Sequence, residues 1–173
     1  MFLDGDQWQA RCRDFRSEAW RLETLPVYRV PQEEAEIRDF LAGHRIDPHT
    51  YSSDYTEHLK QVRRDGRAKG RVHIVTRPLS DYLRYEFMYY LPHLWAGDDI
   101  RILDVTDREN PLAGVQDFWM FDRAEIVLMH YAADGTQLSR ELHNGDPEQY
   151  REYQRIAITA SVPFEEYVPA AHG

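Results

Sequence analysis

The segment from residue 71 to residue 105 constrains the fold most, because it reads as strand, helix and strand in immediate succession. RVHIVT, Arg71 to Thr76, is rich in β-branched residues and favours an extended chain. Pro78 ends it, and Ser80 is placed to cap the helix that follows, SDYLRYEFMYYL. Leu83, Phe87, Tyr90, Leu91 and Leu94 share one face of that helix, and Pro92 is expected to kink or end it. Gly97 then leads into a second strand, DIRILDV. Two strands joined through a helix pair in parallel by a right-handed crossover. A ligand crevice is expected at the carboxyl ends of such strands, here near Arg77 and Val105.

The flanking text adds an antiparallel part and more helices. After a loop from Asp107 to Val115, DFWMF and EIVLMHYA read as strands joined by a turn near Asp122 and Arg123. Asp134-Gly135 is a hairpin signal, and TQLSREL is the returning strand. A last helix starts after Asp146-Pro147, with Gln149, Tyr153, Ile156 and Ala160 on one side. Upstream, Trp8, Cys12, Phe15 and Ala19 mark the face of a first helix capped by Asp4 or Asp6. WRLET reads as a strand that stops at Pro26. Pro31 opens a second helix that buries Ile37, Phe40 and Leu41 and ends at Gly43. A third starts at Asp54 with Glu57 completing a capping box, and turns Tyr55, Leu59 and Val62 inward. The expected fold is mixed α/β (α+β). Residues 1–173 form one domain, with a mixed sheet made of a parallel strand-helix-strand unit and an antiparallel meander, and helices packed around it. Phe164 and Tyr167 would partly order the tail 163–173, and Trp119 and Phe87 are expected in the core.

Composition excludes several classes. In 173 residues no apolar run approaches a membrane span, and the opening MFLDGDQWQARC has no apolar stretch of the kind a secretory signal needs. A single cysteine, Cys12, permits no internal disulfide and no cysteine-built zinc cluster, which fits a cytoplasmic protein. The net charge of −9 lies in the second half, where residues 87–173 hold 6 basic and 15 acidic side chains. Against that trend, Lys60, Arg63, Arg64, Arg67, Lys69 and Arg71 cluster around one acid, Asp65. They read either as an anion contact or as the solvated cationic end of a helix.

Motifs for known chemistries are absent: no GxGxxG, P-loop, GxSxG or HExxH occurs. No catalytic residue, cofactor or metal is therefore assigned. His44, His49 and His58 are close in sequence but lie across a loop and a polar helix, and His73 reads as a hydrogen-bonded strand residue. Two segments stand out as candidate ligand contacts. One is the helix carrying Tyr82, Arg84, Tyr85, Glu86, Tyr89 and Tyr90, either the wall of a small-molecule pocket or an amphipathic core edge. The other is DFWMFD, in which Asp117, Trp119 and Phe121 alternate with Phe118, Met120 and Asp122. Asp117 and Asp122 read as either ligand-facing acids or members of a buried ion pair, with Arg71, Arg77, Arg84 or Arg101 as possible partners. The candidate set is Tyr82, Arg84, Glu86, Tyr90, Asp117, Trp119 and Asp122.

SEAWRLETLPVYRVPQEEAEIRDFLAG, RVHIVTRPLSDYLRYEF and DFWMFD together resemble an actinobacterial family of unknown function, over about residues 8–160. Its members are small cytoplasmic proteins often encoded beside XRE-type helix-turn-helix regulators. A weaker similarity links the strand order to the phospholipase D-like fold. Its HxKxxxxD pattern, aligned on Asp122, places Asp117 at the lysine position and Val115 at the histidine position, so the resemblance implies a catalytically silent version. The expected function is a non-enzymatic binding or regulatory module that acts with a separate helix-turn-helix DNA-binding regulator and senses a small molecule. The alternative is an enzyme of a specialised-metabolite pathway that uses an aromatic and carboxylate pocket. Direct binding to nucleic acid is expected to be weak or absent, and no membrane contact is expected.

Overall fold

A computed structural model describes residues 1–171. Helix α1 (Gly5–Asp14) precedes strand β1 (Glu18–Glu23). A 3₁₀ turn (Pro31–Glu33) then leads into α2 (Glu34–Leu41), and α3 (Asp54–Arg64) follows. The central unit is β2 (Ala68–Val75), α4 (Asp81–Ala96) and β3 (Asp98–Asp104). The meander is β4 (Phe118–Phe121), β5 (Glu125–Tyr131) and β6 (Gln137–Leu142). Helix α5 (Glu148–Ala160), strand β7 (Val162–Pro163) and helix α6 (Phe164–Ala171) complete the described residues. The strands form one sheet in the order β6-β5-β4-β1-β2-β3-β7. β1, β2 and β3 are parallel, and the others join antiparallel. The mixed α/β class, the parallel pairing of β2 with β3 and the antiparallel meander are as the sequence led us to expect. Residues 172–173 of the expected tail lie outside the described residues.

Strand alternation gives the sheet two unlike faces. On one face Trp20, Leu22, Val72, Ile74, Leu103, Phe118 and Met120 form an apolar cluster closed by Ala157 of α5. The other face has an apolar group at each flank. Ala19, Trp119, Phe121 and Val127 pack beside α1, and Ile100 and Ile102 pack against Leu83 and Tyr90 of α4 and Phe164 and Tyr167 of α6. Between these flanks, β1 and β2 present Arg21, Glu23, Lys69, Arg71 and His73, a charged seam under helices.

Local chemistry moves several expected features. The box at the start of α3 is built one residue upstream: Ser53 accepts from the Thr56 amide at 3.2 Å, and the Thr56 hydroxyl accepts from the Ser53 amide at 2.9 Å. Glu57 instead pairs with Lys60. Helix α4 continues through Pro92 to Ala96, and Gly97, at φ +128°, ends it. Leu41 is exposed because the short α2 buries only Phe40. Ala19 belongs to β1, not to the first helix. Gln149 does not reach the core, which Gln154 and Ala157 enter instead. Phe87 is half-buried, edge-on to Phe164 at 5.2 Å. The basic run disperses: Lys60 pairs with Glu57, Arg67 with Asp65, and Lys69 and Arg71 are buried.

Gly135 locks the segment after β1 to the β5–β6 hairpin. Its carbonyl accepts from the Arg29 amide at 2.9 Å, its φ is +89°, and a Cβ there would meet the Val27 carbonyl oxygen at 2.2 Å. Gly135→Ala should lower stability by about 2 kcal/mol or more, from the left-handed backbone plus a backbone clash. The readout is the urea midpoint at unchanged slope. An unchanged midpoint would mean the 25–29 segment is not seated on the hairpin.

Candidate functional site

The seam arises from strand register. β1 and β2 set Arg21 opposite Arg71 and Glu23 opposite His73, and β3 brings Asp98 opposite Lys69. Arg71 is the hub. It donates to Asp98 Oδ2 at 2.6 Å, to Glu23 Oε1 at 3.3 Å and to the Tyr55 hydroxyl at 3.2 Å, and lies 3.6 Å from Glu86 Oε1. Arg21 also reaches Glu23, at 3.3 Å. Burial works against the charge on Asp98, but Arg71, Arg21 and Lys69 overcome it and hold the carboxyl below its ordinary range. Burial is likewise outweighed at Glu23, by Arg21, His73 and Arg71, and its carboxyl also lies low. Glu86 goes the other way: burial and the charge of Glu23 raise it. Burial pushes Lys69 down to about 8, with Asp98 opposing. It pushes His93 of α4 down to about 3, aided by Arg71.

His73 links the seam to α4. Its Nε2 lies 3.0 Å from the Leu25 carbonyl, which only accepts, so Nε2 carries a proton. Its Nδ1 lies 2.9 Å from the Tyr90 hydroxyl, which in turn lies 2.7 Å from Glu86 Oε1. The single Tyr90 proton serves one of these neighbours, so His73, Tyr90 and Glu86 form a chain along which a proton can shift. Glu23, His73 and Glu86 bring three potential ligand atoms within 4.8 Å of one another. Arg71 already supplies positive charge to both carboxylates there, and both nitrogens of His73 are engaged, so the trio is better matched to the guanidinium than to a metal ion.

Above this seam opens a cleft of about 930 Å³. Tyr28, Tyr51, Tyr55, Tyr82, Tyr85, Tyr89, Tyr90 and Tyr131 line it, eight of the chain's 11 tyrosines. Its wall from the segment after β1 is held by Asp117. The Tyr28 and Thr24 hydroxyls and the Thr24 amide all donate to that carboxylate, and the Tyr28 oxygen accepts from the Leu25 amide at 3.2 Å. Burial raises the Asp117 carboxyl, and these donors oppose the shift. At the α2 end, Glu33 accepts from Tyr82 at 3.2 Å, and Glu36 accepts from Tyr85 at 2.6 Å and Tyr89 at 3.2 Å. Burial and the charge of Glu86 push Glu33 up to about 7.

The structure divides the sequence-derived candidates. Tyr82, Glu86 and Tyr90 line this cleft together. Asp117 stands behind it, and its partners are hydroxyls and an amide rather than the arginines expected. Trp119 lies to one side, in an opening shared with Trp8, Cys12 and Lys69. Arg84 faces outward, paired with Asp81, and borders a separate apolar groove with Arg77. Asp122 is remote from the cleft. At φ +55° its carboxylate accepts from the amides of Arg16, Ser17 and Glu18, a turn-fixing role. The tyrosine cleft opens beside the end of β1, and the groove of about 1010 Å³ lined by Arg77, Pro78 and Leu79 lies where the sequence led us to expect a crevice, without Val105. His49 stacks near Trp95 and His58 near Tyr55, so the three sequence-adjacent histidines do not converge. Sequence reasoning missed Arg21, Glu23, Tyr28 and Asp98, and did not assign His73 and Arg71 to a site. The signal was present: Arg21 and Glu23 alternate with Trp20 and Leu22, as Arg71 and His73 do with Val72 and Ile74. Titratable residues on the covered face of two central strands need partners.

No curated protein sequence matches the chain. A family model described as a domain of unknown function, DUF6879, matches residues 6–169, nearly the whole length. The chain that builds this tyrosine cleft therefore belongs to the DUF6879 family.

Proposed function

We propose that the protein is a non-enzymatic small-molecule-binding module that acts with a separate helix-turn-helix DNA-binding regulator. The observation that carries the ligand half is the cleft: about 930 Å³, walled by tyrosines and floored by buried charge at the end of a central strand. Sites for small molecules combine such a concave aromatic wall with a few convergent polar groups. The regulator half rests on the resemblance to small cytoplasmic actinobacterial proteins encoded beside XRE-type regulators. In a phospholipase D-like alignment Val115 and Asp117 stand where histidine and lysine are needed, and Asp117 is engaged by Tyr28 and Thr24. That supports a silent version of such a fold. Divergent cations on an acidic chain support a partner, rather than this chain, as the DNA reader. Among the described residues no helix is long and apolar enough to cross a membrane.

A screen of polar metabolites by thermal shift tests the ligand half. A ligand at 100 times its Kd should stabilise by about 2.7 kcal/mol, and Tyr89→Ala should abolish the shift. No hit, or an equal shift in the variant, would contradict the reading. Capture from the native host, with mass spectrometry, should recover a helix-turn-helix protein.

One observation favours a second reading, an enzyme of specialised metabolism. Glu23 and Glu86, in contact with the same arginine, are pushed in opposite directions, the pattern of paired acid and base groups. Glu86 would then move a proton through Tyr90 and His73. Turnover lost in Glu86→Gln would favour this reading.

A further inference from the structure

Deepening the small-molecule reading, and resting on it, we infer that the α2 end of the cleft receives the cationic head of an organic amine or guanidine, against Glu33, Glu36 and the tyrosine faces of α4. The charges of the cleft are unequally satisfied. Three of its four arginines are committed to acids, Arg21 to Glu23, Arg71 to Glu23, Glu86 and Asp98, and Arg29 to Asp134 at 3.8 Å, while the fourth, Arg140, donates to Gln137 Oε1 at 3.1 Å. Glu33 and Glu36 have tyrosine hydroxyls as partners instead. Glu86 Oε2, beyond Tyr82 on the same wall, is buried without a hydrogen-bond partner.

Three carboxylates near one another, with phenol rings between them, favour a positive group twice over. The carboxylates attract it directly, and the ring faces add cation–π attraction. Tyr85 packs edge-on to Tyr89, with centroids 5.3 Å apart, and at a tilt to Tyr82 at 6.0 Å, so the wall is already assembled. At the other rim, Gln137 Nε2 and Arg140 Nε are buried donors without acceptors in the same cleft. An amine that also carries an oxygen acceptor would answer both ends.

The arrangement couples binding to pH. Glu33 is faced by Tyr82, Tyr85 and Glu86 of α4 and by Glu36 of α2, and burial with the charge of Glu86 pushes it up to about 7. A bound cation favours its ionised form. Affinity therefore rises from pH 6 to pH 8, and binding at pH 7 releases a proton.

Titration calorimetry with agmatine and putrescine, beside 1,4-butanediol and succinate, tests this. The amines should bind, and the neutral and anionic probes should not. Heats in two buffers of different ionisation enthalpy should report proton release at pH 7. Glu33→Gln should weaken amine binding about tenfold or more and remove the proton release, with folding checked by an unchanged melting temperature without ligand. Amine binding unaffected by Glu33→Gln, or no amine binding, overturns the inference. Binding of butanediol or succinate that Tyr89→Ala abolishes would overturn it while leaving the small-molecule reading standing. Silence of all four probes, together with an empty metabolite screen, would remove both.

Discussion

Arg71→Met should destabilise the protein by about 3–5 kcal/mol at pH 7, the cost expected when one partner of a buried ion cluster is removed. The guanidinium is 3% exposed and joins Asp98, Glu23 and Glu86. Its loss leaves Asp98, itself buried, with one oxygen that already has no partner and another that keeps only the Tyr55 hydroxyl at 3.3 Å. The pH dependence has a definite sign. Glu23 and Asp98 have carboxyls held below their ordinary values in the folded protein. Stability gained from their ionisation is therefore present above the unfolded-state values and lost as pH falls through the folded ones. The gap between wild type and variant should be widest above about pH 5 and should narrow below about pH 4. Urea unfolding across that range measures it. A gap under about 1 kcal/mol at pH 7 would mean the charges are solvated rather than held in a seam.

Trp119→Ala is the second large effect, at about 3–5 kcal/mol. The indole is stacked on Phe121 at 5.7 Å and meets Trp8 edge-on at 5.4 Å. It also carries the Arg21 guanidinium 4.8 Å from its ring centre. Truncation removes the packing between α1 and the sheet and leaves Arg21 without the surface it lies on. Phe87, which the sequence placed in the same class, is half-buried under α6, and its truncation should cost less. Denaturant midpoints for both variants check the order. Equal losses would contradict the packing described here.

The elements were legible because the chain punctuates them with chemistry that acts locally. Ser80 caps α4, Gly97 ends it, and Asp134-Gly135 turns the hairpin, each through its own backbone or the next few residues. Features decided by tertiary context were less legible. Pro92 sits within a helix that packing carries onward to Ala96. Ser53 displaced Asp54 as the cap because either residue suits that position. The site was half legible. Tyr82, Glu86 and Tyr90 stood out as aromatic and acidic groups on one helix. Their partners come from β1, from the 24–33 segment and from the start of β3, brought together only by strand register and by the seating of Tyr28 on Asp117. Asp117 and Asp122 looked alike in DFWMFD, yet one closes a cleft and the other fixes a turn. The difference lies in Thr24, Tyr28 and the amides of residues 16–18, all distant in sequence.

The tyrosine cleft, on the function proposed above, holds a small molecule. The most direct test is a crystal structure of the protein isolated under mild conditions from its native host. Extra density is expected in the cleft, in contact with Tyr82, Tyr89 and Glu33, above an intact Arg71 seam. A cleft closed by its own side chains, with Tyr82 and Tyr89 packed across the opening, would contradict it.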